Sequence, residues 1–356
     1  MFVSSEITNA VTRAAIEAGF ELVGFAPVTD PEELEYFPRW IAEGRGGEMK
    51  YLEARDEQGR LKRSSLAHAA PWARTVVVCA INYNTSQPHS THAPDESCGW
   101  ISRYAWSTED YHESVMRRLR QAETVLRASR PDAITRCYVD TGPIIERVVA
   151  KYAGIGWIGK NTCLINQKLG SWLFLGVILT SLDLASDALS LPAPDRCGTC
   201  TRCIEACPTD AFIGPYRLDA NKCISYLTIE KRGSIDSEEL RSGMGRHVFG
   251  CDICQDVCPW NRKAPATNAA EFQARPELVN PKLEWLAEMG DEEFRATFRG
   301  SPVRRAKRAG LRRNAVIAMG NSGDKKFLPV LQKLLANDEK DEVVRETGAW
   351  ALRKLT

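Results

Sequence analysis

The sequence has no apolar run long enough to cross a membrane. Its longest one, residues 172–182 (WLFLGVILTSL), lies between Gly170 and Asp183, whereas a spanning helix needs about 20 apolar residues. We therefore expect this run to be a buried strand. The first 20 residues contain polar and charged side chains throughout and lack the apolar core of a signal peptide. These absences predict a cytoplasmic protein without a membrane partner.

An excess of charge of one sign is also missing. The chain has 47 Lys and Arg against 46 Asp and Glu, which gives a net charge of +1. No overall field therefore demands a polyanionic partner, although a local basic patch could still bind one. Low-complexity segments are absent, and 44% hydrophobic with 26% charged residues is a globular composition. At 356 residues, more than one hydrophobic core is expected.

What the sequence does contain is a concentration of cysteine. Eight of its 12 cysteines lie between Cys197 and Cys258. In a chain of this size without a secretory signal, such clustering favours metal binding over a disulfide framework. The remaining four cysteines are expected to be ordinary thiols: Cys79, Cys98, Cys137 and Cys163.

The spacing of the eight clustered cysteines is typical of two iron–sulfur clusters. The run that begins at Cys197 has the CxxCxxCxxxCP pattern of bacterial ferredoxins, in which the fourth cysteine binds the other cluster. A second run from Cys251 has three cysteines, and Cys223 completes its ligand set. We expect one [4Fe-4S] cluster on Cys197, Cys200, Cys203 and Cys258, and another on Cys207, Cys223, Cys251 and Cys254. Structural zinc is the alternative, since paired CxxC motifs also bind zinc.

Helical and strand-like segments alternate before the cysteines, which indicates an α/β arrangement. Apolar residues at helical spacing predict helices over residues 4–19, 111–129 and 144–153. Apolar and β-branched runs predict strands over residues 22–26, 74–82, 136–140 and 171–180.

Three units are predicted along the chain, so the fold class is multidomain α+β. Residues 1–185 form an α/β unit, and residues 186–270 form a loop-rich, ferredoxin-like unit that begins with a stiff linker (LPAP). Residues 271–356 are predicted to be helical. Within them, residues 313–321 and 345–355 resemble the paired helices of a HEAT-type repeat. Only about one and a half repeats fit, so we expect a small helical cap.

Asp140 and a glycine-rich run follow one another near the end of the first unit. The carboxylate lies where a predicted strand ends and a helix begins, a place where α/β folds collect ligands, although it could equally cap the helix. Further on, Gly154, Gly156 and Gly159 precede Lys160, and glycines this close let a backbone approach a large ligand. Taken alone, the glycine run is a weak signal.

Several longer stretches resemble one family, the epoxyqueuosine reductases. They are GEMKYL, SRYAW, DYH, YVDTGPIIER, GIGWIGKNTCLIN and GSWLFLG in the first unit, and CGTCTRCIEACPTDA, CISYLTIE and CDICQDVCPWN in the second. The resemblance covers nearly the whole chain, including its helical C-terminal part. One departure is residues 60–66, where the family usually has an Asp-Pro pair, so no cofactor contact is carried over to Arg60 or Arg63.

The resemblance implies an enzyme that reduces epoxyqueuosine to queuosine in the anticodon loop of tRNA. It implies cobalamin as the cofactor that supplies a strong reductant, and two [4Fe-4S] clusters that relay electrons from an external donor of the flavodoxin or ferredoxin type. Asp140 matches the family's proton donor, and since it must then be protonated, we expect a desolvated site. The residues expected to contact cobalamin are Tyr104, Lys160, Asn161, Thr162 and Ser225.

A basic segment is the expected binding surface for tRNA. Residues 295–313 contain eight Arg and Lys and no acid. Such a run is usually a solvated face, but in a chain of net charge +1 it suits phosphate contacts. The residues assigned to these contacts are Arg304, Arg305 and Arg308. Three tryptophans could stack on a base of the single-stranded loop, but core packing is the favoured interpretation for each: Trp100, Trp106 and Trp260.

Two other interpretations remain open. A different cobalamin-dependent reductase, such as a reductive dehalogenase, would share the clusters and the corrinoid but act on a small molecule; the helical C-terminal part and the basic segment argue against it. An electron-transfer or RNA-binding module without chemistry of its own would contain no cobalt. Among single residues, Lys160 could be a solvated charge at a helix end, and Ser225 could pack beside Cys223.

Overall fold

The computed structural model of this chain describes residues 4–92, 95–184, 191–337 and 342–356. Its strands are β1 (Leu22–Pro27), β2 (Thr75–Asn82), β3 (Trp100–Ile101), β4 (Thr135–Tyr138), β5 (Trp157–Ile158), β6 (Leu164–Ile165), β7 (Leu173–Thr180), β8 (Phe212–Gly214), β9 (Arg217–Leu218) and β10 (His247–Phe249). Its α-helices are α1 (Ser4–Glu17), α2 (Glu32–Ala42), α3 (Leu66–Ala69), α4 (Tyr111–Ser129), α5 (Glu146–Tyr152), α6 (Arg202–Glu205), α7 (Ile224–Ile229), α8 (Glu238–Gly243), α9 (Ile253–Asp256), α10 (Leu283–Glu288), α11 (Asp291–Thr297), α12 (Lys307–Ser322), α13 (Leu328–Asn337) and α14 (Glu342–Leu355).

Four strands form one sheet in the order β1-β2-β7-β4. All eight residues of β2 are buried. Since alternate side chains face opposite sides of a strand, Val77 and Cys79 pack in the cluster that contains α1 and α4, while Val76 and Val78 pack with α5. A strand covered on both faces needs no polar alternation, and this is why its apolar, β-branched sequence predicts it well.

The strand directions differ from those of a parallel α/β sheet. Each neighbouring pair in this sheet is antiparallel. The alternation of helices and strands indicates which layers form, because each helix must cover an apolar face of the sheet. It does not by itself determine on which side of the sheet, or in which direction, the next strand enters.

The cysteine-rich segment consists mostly of turns and very short helices. Helices α6 and α9 have four residues each and contact one another. Strand β10 pairs in parallel with β3, which joins this segment to the first part of the chain. The cysteines are therefore held against a larger framework and do not form an isolated ferredoxin.

The C-terminal helices pack around α12, whose residues 311–320 are buried. A Cβ at Gly320 would lie 2.8 Å from the Trp350 ring, so this glycine permits the close approach of α12 and α14. One hydrophobic cluster extends from Trp100 and Trp106 into these helices. The fold is thus a mixed arrangement of helices and sheet with a shared core. Within the described ranges, every helix is too short or too polar to cross a bilayer.

Candidate functional site

Asp140 lies in the tight turn between β4 and α5. Its φ angle is 55°, a left-handed conformation that costs a non-glycine residue free energy and is enriched at functional sites. The Tyr111 hydroxyl donates a 2.8 Å hydrogen bond to Oδ2, and Nε2 of His112 is 3.9 Å from the same oxygen. The side chain is 68% exposed. The expectation of a desolvated carboxylate is therefore wrong for the protein alone, because its neighbours leave most of it open to water.

Tyr111 is held by the start of α4. Asp110 caps this helix: its Oδ1 accepts from the His112 backbone N–H (3.0 Å) and contacts Nδ1 of His112 at 2.7 Å. The Tyr111 ring stacks on Phe174 with centroids 4.4 Å apart. Burial raises the pKa of Tyr111 well above its usual value, and the negative charge of Asp140 raises it further. The hydroxyl therefore keeps its proton and donates to Asp140. Tyr111 is not among the site residues predicted from the sequence, although it lies in the DYH motif.

Glu146, the first residue of α5, is a second carboxyl group beside Asp140. Burial raises the pKa of Glu146 to about 7, and the negative charge of Asp140 contributes to the increase. Its Oε1 is buried and has no hydrogen-bond partner among the described residues. Glu146 can thus hold a proton near neutral pH. Glu146 is likewise not among the site residues predicted from the sequence. Its position in the YVDTGPIIER motif, six residues after Asp140, could have indicated it.

Tyr104 lies between Asp140 and the second cysteine run. Its ring meets that of Tyr111 edge to face, with centroids 6.0 Å apart. Burial raises the pKa of Tyr104 well above its usual value, and the charges of Asp140 and Asp252 raise it further. Asp252 directly follows Cys251. Of the residues predicted to contact cobalamin, Tyr104 is therefore the one that lies near both the Asp140 turn and the cysteines.

The glycine-rich run forms the hairpin of β5 and β6. A Cβ on Gly156 would lie 2.3 Å from the carbonyl oxygen of Ile165, so this glycine serves the hairpin and not the approach of a ligand. The Nζ of Lys160 donates to the carbonyl oxygens of Gly198 (2.6 Å) and Cys200 (3.0 Å). The Lys160 ammonium group therefore holds the loop of the first cysteine run.

Asn161 and Thr162 continue the hairpin in different directions. Asn161 is buried, and its Nδ2 donates to the carbonyl oxygen of Cys254 at 3.3 Å. Thr162 has a φ angle of 63°, and its carbonyl oxygen accepts a 2.5 Å hydrogen bond from Arg147 on α5. Ser225 is partly buried in the first turn of α7. The hairpin therefore contacts both the cysteine loops and the helix that follows the Asp140 turn.

The first four predicted cluster ligands lie together. Burial raises the pKa of Cys203, and the charges of Cys197 and Cys200 raise it further. Burial also raises the pKa of Cys258 to about 11, with Cys197 and Cys203 contributing. Such mutual effects require short distances. Cys258 from the second run thus joins three cysteines of the first.

The other four cysteines form a second group. Burial raises the pKa of Cys251 well above its usual value, and Cys223 and Cys207 contribute. The hydrogen bond from Cys163 is the largest cause of the raised pKa of Cys254, followed by burial, and Cys251 and Cys223 also contribute. Cys163, which was expected to be an ordinary thiol, therefore lies directly beside a predicted cluster ligand.

These two groups suit iron–sulfur clusters better than zinc. A zinc ion needs ligands about 2.0–2.3 Å from a single centre. Structural zinc sites usually pair two CxxC motifs, whereas the run from Cys197 has the CxxCxxCxxxCP spacing of bacterial ferredoxins. In that spacing the fourth cysteine binds the other cluster, so each cubane takes its thiolates from both runs.

A buried network fastens the second cysteine run to the SRYAW segment. Asp252 accepts hydrogen bonds from Nε1 of Trp100 (3.1 Å), from the Ser102 hydroxyl and from the Arg103 backbone N–H (2.8 Å). The Arg103 guanidinium in turn donates to the Thr85 carbonyl oxygen at 2.8 Å. Burial raises the pKa of Asp252 to about 6. Because Asp252 accepts three hydrogen bonds from the SRYAW segment, the network fixes the loop that follows Cys251.

The three tryptophans considered for base stacking all lie in packed positions. Trp100 and Trp106 are fully buried and meet edge to face with centroids 5.0 Å apart. Trp260 is partly buried and meets Trp157 in the same way, also at 5.0 Å. The favoured interpretation of core packing is therefore confirmed for Trp100 and Trp106, which are not available to stack on a base.

The three arginines assigned to tRNA lie at the surface, but two of them are paired. Arg305 donates two hydrogen bonds of 2.9 Å to the Glu230 carboxylate. The Nε of Arg308 donates to Asp291 at 2.8 Å. Arg304 is exposed, and its side chain has no ion-pair partner among the described residues. The tertiary structure thus supplies acids that the basic segment itself lacks.

The last two arginines of the basic segment, Arg312 and Arg313, do not lie at the protein surface. Arg312 and Arg313 are 4% and 1% exposed. Arg313 donates to the carbonyl oxygens of Leu227 (2.6 Å), Gly233 (2.7 Å) and Lys231 (3.0 Å). Burial lowers the pKa of Arg313 to about 10. This arginine therefore holds the segment after α7 against α12 and cannot contact RNA.

Comparison with known families agrees with this arrangement. The family described as "4Fe-4S double cluster binding domain" matches residues 196–261, which include all eight clustered cysteines. The family described as "Epoxyqueuosine reductase QueG, DUF1730" matches residues 63–141. This second match ends just after Asp140.

Individual proteins are similar to this chain over most of its length. An epoxyqueuosine reductase of Pseudomonas aeruginosa is 41% identical over 344 residues, which cover 95% of this chain and 91% of the relative. One of Synechocystis sp. is 43% identical over 297 residues, which cover 82% and 98%. A crystal structure of epoxyqueuosine reductase with an epoxyqueuosine-modified tRNA stem loop has a TM-score of 0.87 at 29% identity and covers 99% of this chain and 91% of that chain. The chain therefore belongs to the epoxyqueuosine reductase family.

Proposed function

We propose that this enzyme reduces epoxyqueuosine to queuosine in the anticodon loop of tRNA. One observation carries the proposal: in a chain of this family, the exposed Asp140 carboxylate is oriented by Tyr111 and adjoins Tyr104, which also lies near the cysteines. The related structure with a modified tRNA stem loop supports the same substrate. Because the substrate is tRNA, we expect the enzyme to work in the cytoplasm.

Two [4Fe-4S] clusters are the cofactors that suit the cysteines. Thiolates are the usual ligands of such clusters, and the chain offers two mutually interacting groups of four. The match to a double-cluster family supports this assignment. The proposed ligand sets are Cys197, Cys200, Cys203 and Cys258 for one cluster, and Cys207, Cys223, Cys251 and Cys254 for the other. Their electrons would come from an external donor of the flavodoxin or ferredoxin type.

Cobalamin is the proposed third cofactor, and when bound it supplies a strongly reducing cobalt centre. The edge of its corrin ring carries amide side chains, which suit hydroxyl and carboxyl partners. Tyr104, Thr162 and Ser225 offer hydroxyl groups, and the buried Oε1 of Glu146 offers an acceptor that the described protein groups leave unused. Lys160 and Asn161 belong to the same region and are proposed to hold the cysteine loops behind it.

Removal of the epoxide oxygen as water consumes two electrons and two protons. We assign delivery of a proton to this oxygen to Asp140. Tyr111 donates to Oδ2 of Asp140, which leaves Oδ1 available to the substrate. Because the pKa of Tyr111 is raised, its hydroxyl stays protonated and remains a hydrogen-bond donor during the reaction. The bound substrate would exclude water from the otherwise exposed carboxylate, and desolvation favours the protonated acid that this role requires.

The division of the chain into units is part of the proposal. Residues 1–185 would hold cobalamin and Asp140, residues 186–270 would hold the clusters, and residues 271–356 would form a HEAT-like helical unit that contacts tRNA. Packing of α14 against both α12 and α13 supports the last assignment. The residues proposed to bind phosphates are Arg304, Arg305 and Arg308.

The Asp140→Asn variant tests this function. The amide keeps the shape of the side chain but cannot deliver the proton, so single-turnover reduction of modified tRNA should slow by roughly 10²–10⁴-fold. Metal analysis should still find roughly eight irons per chain in two cubanes, together with cobalt, in both the variant and the wild type. Asp132→Asn, which changes an exposed aspartate paired only with Arg130 on the surface, is the matched control.

Two outcomes would contradict parts of this assignment. Full turnover by Asp140→Asn with cobalt bound would show that another group delivers the proton. Iron without any cobalt in wild-type protein prepared with cobalamin, combined with no turnover, would favour an electron carrier instead of a reductase.

A further inference from the structure

The exposed ring of Tyr51 is a feature that the proposed function leaves unused. Tyr51 lies in a short 3-10 turn, Lys50–Glu53, and is 46% exposed. The guanidinium carbons of Arg63 and Arg305 lie 5.8 Å and 5.3 Å from the centre of its ring. These three side chains together form a cationic, partly aromatic surface, which we call the Tyr51 platform.

The platform is pre-formed, because hydrogen bonds fix both arginines. Arg63 donates to the carbonyl oxygens of Tyr51 (2.7 Å) and Gly142 (3.0 Å). The second of these bonds ties the platform to the turn that contains Asp140. Arg305 is fixed by its two hydrogen bonds to Glu230. A surface whose side chains are already ordered loses little conformational entropy when it binds a ligand.

The platform also borders Asp140. Burial raises the pKa of Tyr51, and the charges of Glu230 and Asp140 contribute to the increase. The hydrogen bond to Glu230 is the main cause of the raised pKa of Arg305, and Asp140 again contributes. The hydrogen bond from Arg63 to Gly142, two residues after Asp140, shows that the platform adjoins the same turn. The platform therefore lies at the rim of the proposed site where the modified base would enter.

We infer that the Tyr51 platform binds, by stacking, a nucleobase adjacent to the modified one in the anticodon loop. Proteins hold the splayed bases of single-stranded RNA on aromatic rings and on Arg guanidinium planes, and both are present here. The inference deepens the proposed function and rests on it, since RNA reaches this rim only if Asp140 acts on RNA. An acidic protein, such as an electron donor, is the rival occupant that the test must separate.

Binding of a labelled RNA to the cluster- and cobalamin-loaded enzyme tests the inference. The probe is a labelled anticodon stem loop that contains epoxyqueuosine, and fluorescence anisotropy measures its binding. Tyr51→Ala should weaken binding about 5- to 100-fold, the range expected for loss of one base–aromatic stack. Tyr51→Phe should bind like the wild type. Tyr216→Ala, which removes another exposed tyrosine (41% exposed), is the matched control and should have no effect.

Abasic RNAs show whether the effect is stacking. If one neighbouring base stacks on the platform, its removal weakens binding by the wild type but not by Tyr51→Ala. The slope of log Kd against log salt should be the same for both proteins, because stacking releases no counterions. Unchanged RNA affinity of Tyr51→Ala, or an equal loss on the intact and on every abasic RNA, would overturn the inference. A slower reduction by flavodoxin with unchanged RNA affinity would assign the surface to a protein partner.

Failure of the inference can be distinguished from failure of the proposed function. A wild-type enzyme that neither binds nor reduces the RNA contradicts both. A wild type that does both, with Tyr51→Ala unaffected, contradicts the inference alone. Iron and cobalt contents of each sample report whether the variant is folded. If Tyr51→Ala loses metal, Tyr51→Leu replaces it, since leucine keeps the apolar volume without the aromatic face.

Discussion

At the scale of single residues, the site is a set of protonatable groups in contrasting environments. Tyr111 is buried and remains a hydrogen-bond donor, whereas Asp140 is open to water. Glu146 is the third member, and burial together with the nearby negative charge favours its protonated form. Glu146 is thus a second group near the Asp140 turn that can hold a proton near neutral pH.

The raised pKa of Glu146 predicts a pH-dependent stability difference for Glu146→Gln. The folded-state pKa of about 7 lies above the ordinary value of 4.5, so the folded protein holds this proton more tightly than the unfolded chain. Wild-type stability is therefore lost as pH rises from about 4.5 to about 7. Glutamine does not titrate, so the variant should melt several degrees above the wild type at pH 8 and only slightly above it at pH 5.

Thermal unfolding of cluster-loaded protein at both pH values measures this difference. Glu113→Gln, a change of an exposed glutamate on α4, is the control and should show no pH-dependent difference. A difference for Glu146→Gln that is the same at pH 5 and pH 8 would contradict the assignment of a neutral carboxyl group.

At the scale of elements, the β5–β6 hairpin holds the loops of both cysteine runs. Lys160 bonds two carbonyl oxygens of the first run and Asn161 bonds one of the second. The close packing at Gly156 gives the hairpin its shape. A single rigid element thus sets the relative position of the two ligand groups, on which electron transfer between them depends.

Lys160→Met should destabilise the cluster on the first cysteine run. Methionine keeps most of the apolar stem but removes both hydrogen bonds from the ammonium group, each of which contributes about 1.5–3 kcal/mol for a charged donor. Iron release to a chelator, monitored as the loss of visible absorbance, should be at least about tenfold faster than in the wild type, since even one such bond corresponds to about that factor. Lys168→Met, at an exposed lysine in the turn that follows β6, is the matched control.

The same variant separates the two roles considered for Lys160. Normal iron release combined with a loss of bound cobalt would mean that Lys160 contacts cobalamin directly. Faster iron release with normal cobalt content would support its role in holding the cysteine loop.

At the scale of the whole molecule, the surface proposed to bind RNA is assembled from distant parts of the chain. Tyr51 and Arg63 come from the first unit, Glu230 from the cysteine-rich segment and Arg305 from the C-terminal helices. A core cluster shared between Trp100 and α14 fixes these parts relative to one another. The surface therefore depends on the packing of the complete fold.

Reversal of the basic patch should weaken tRNA binding through the salt-dependent part of the affinity. The triple change of Arg304, Arg305 and Arg308 to Glu removes positive charges that would neutralise phosphates, so the salt slope should fall by about one unit per lost contact. Arg304→Glu alone should account for much of the effect, since Glu230 and Asp291 already pair with the other two. Anisotropy titrations across salt concentrations measure both quantities.

The charge change needs its own control. Arg127→Glu, at an exposed arginine on α4, makes the same change elsewhere on the surface and should leave the slope unaltered. An equal slope for the triple variant and the wild type would remove the patch from the tRNA interface.

Features that depend on neighbouring residues were predictable from the sequence. Helix α4 has the predicted bounds, Tyr111–Ser129, because its amphipathic spacing and its Asp110 cap are local. Strand β2 begins one residue later than predicted. The cysteine spacing indicated the clusters for the same reason, since tight turns bring thiolates at these intervals to one centre.

Contacts between residues far apart in sequence were decided only by the tertiary structure. The sequence alone indicated a basic tRNA segment, but folding buries Arg313 and pairs Arg305 with Glu230. The sequence left tryptophans as candidates for base stacking, but folding buries Trp100 and Trp106 and leaves Tyr51 exposed. The electrostatic environment of Glu146 likewise arises from packing. The reason is physical: local spacing limits which ligands and elements can form, but burial and charge pairing depend on which distant surfaces meet.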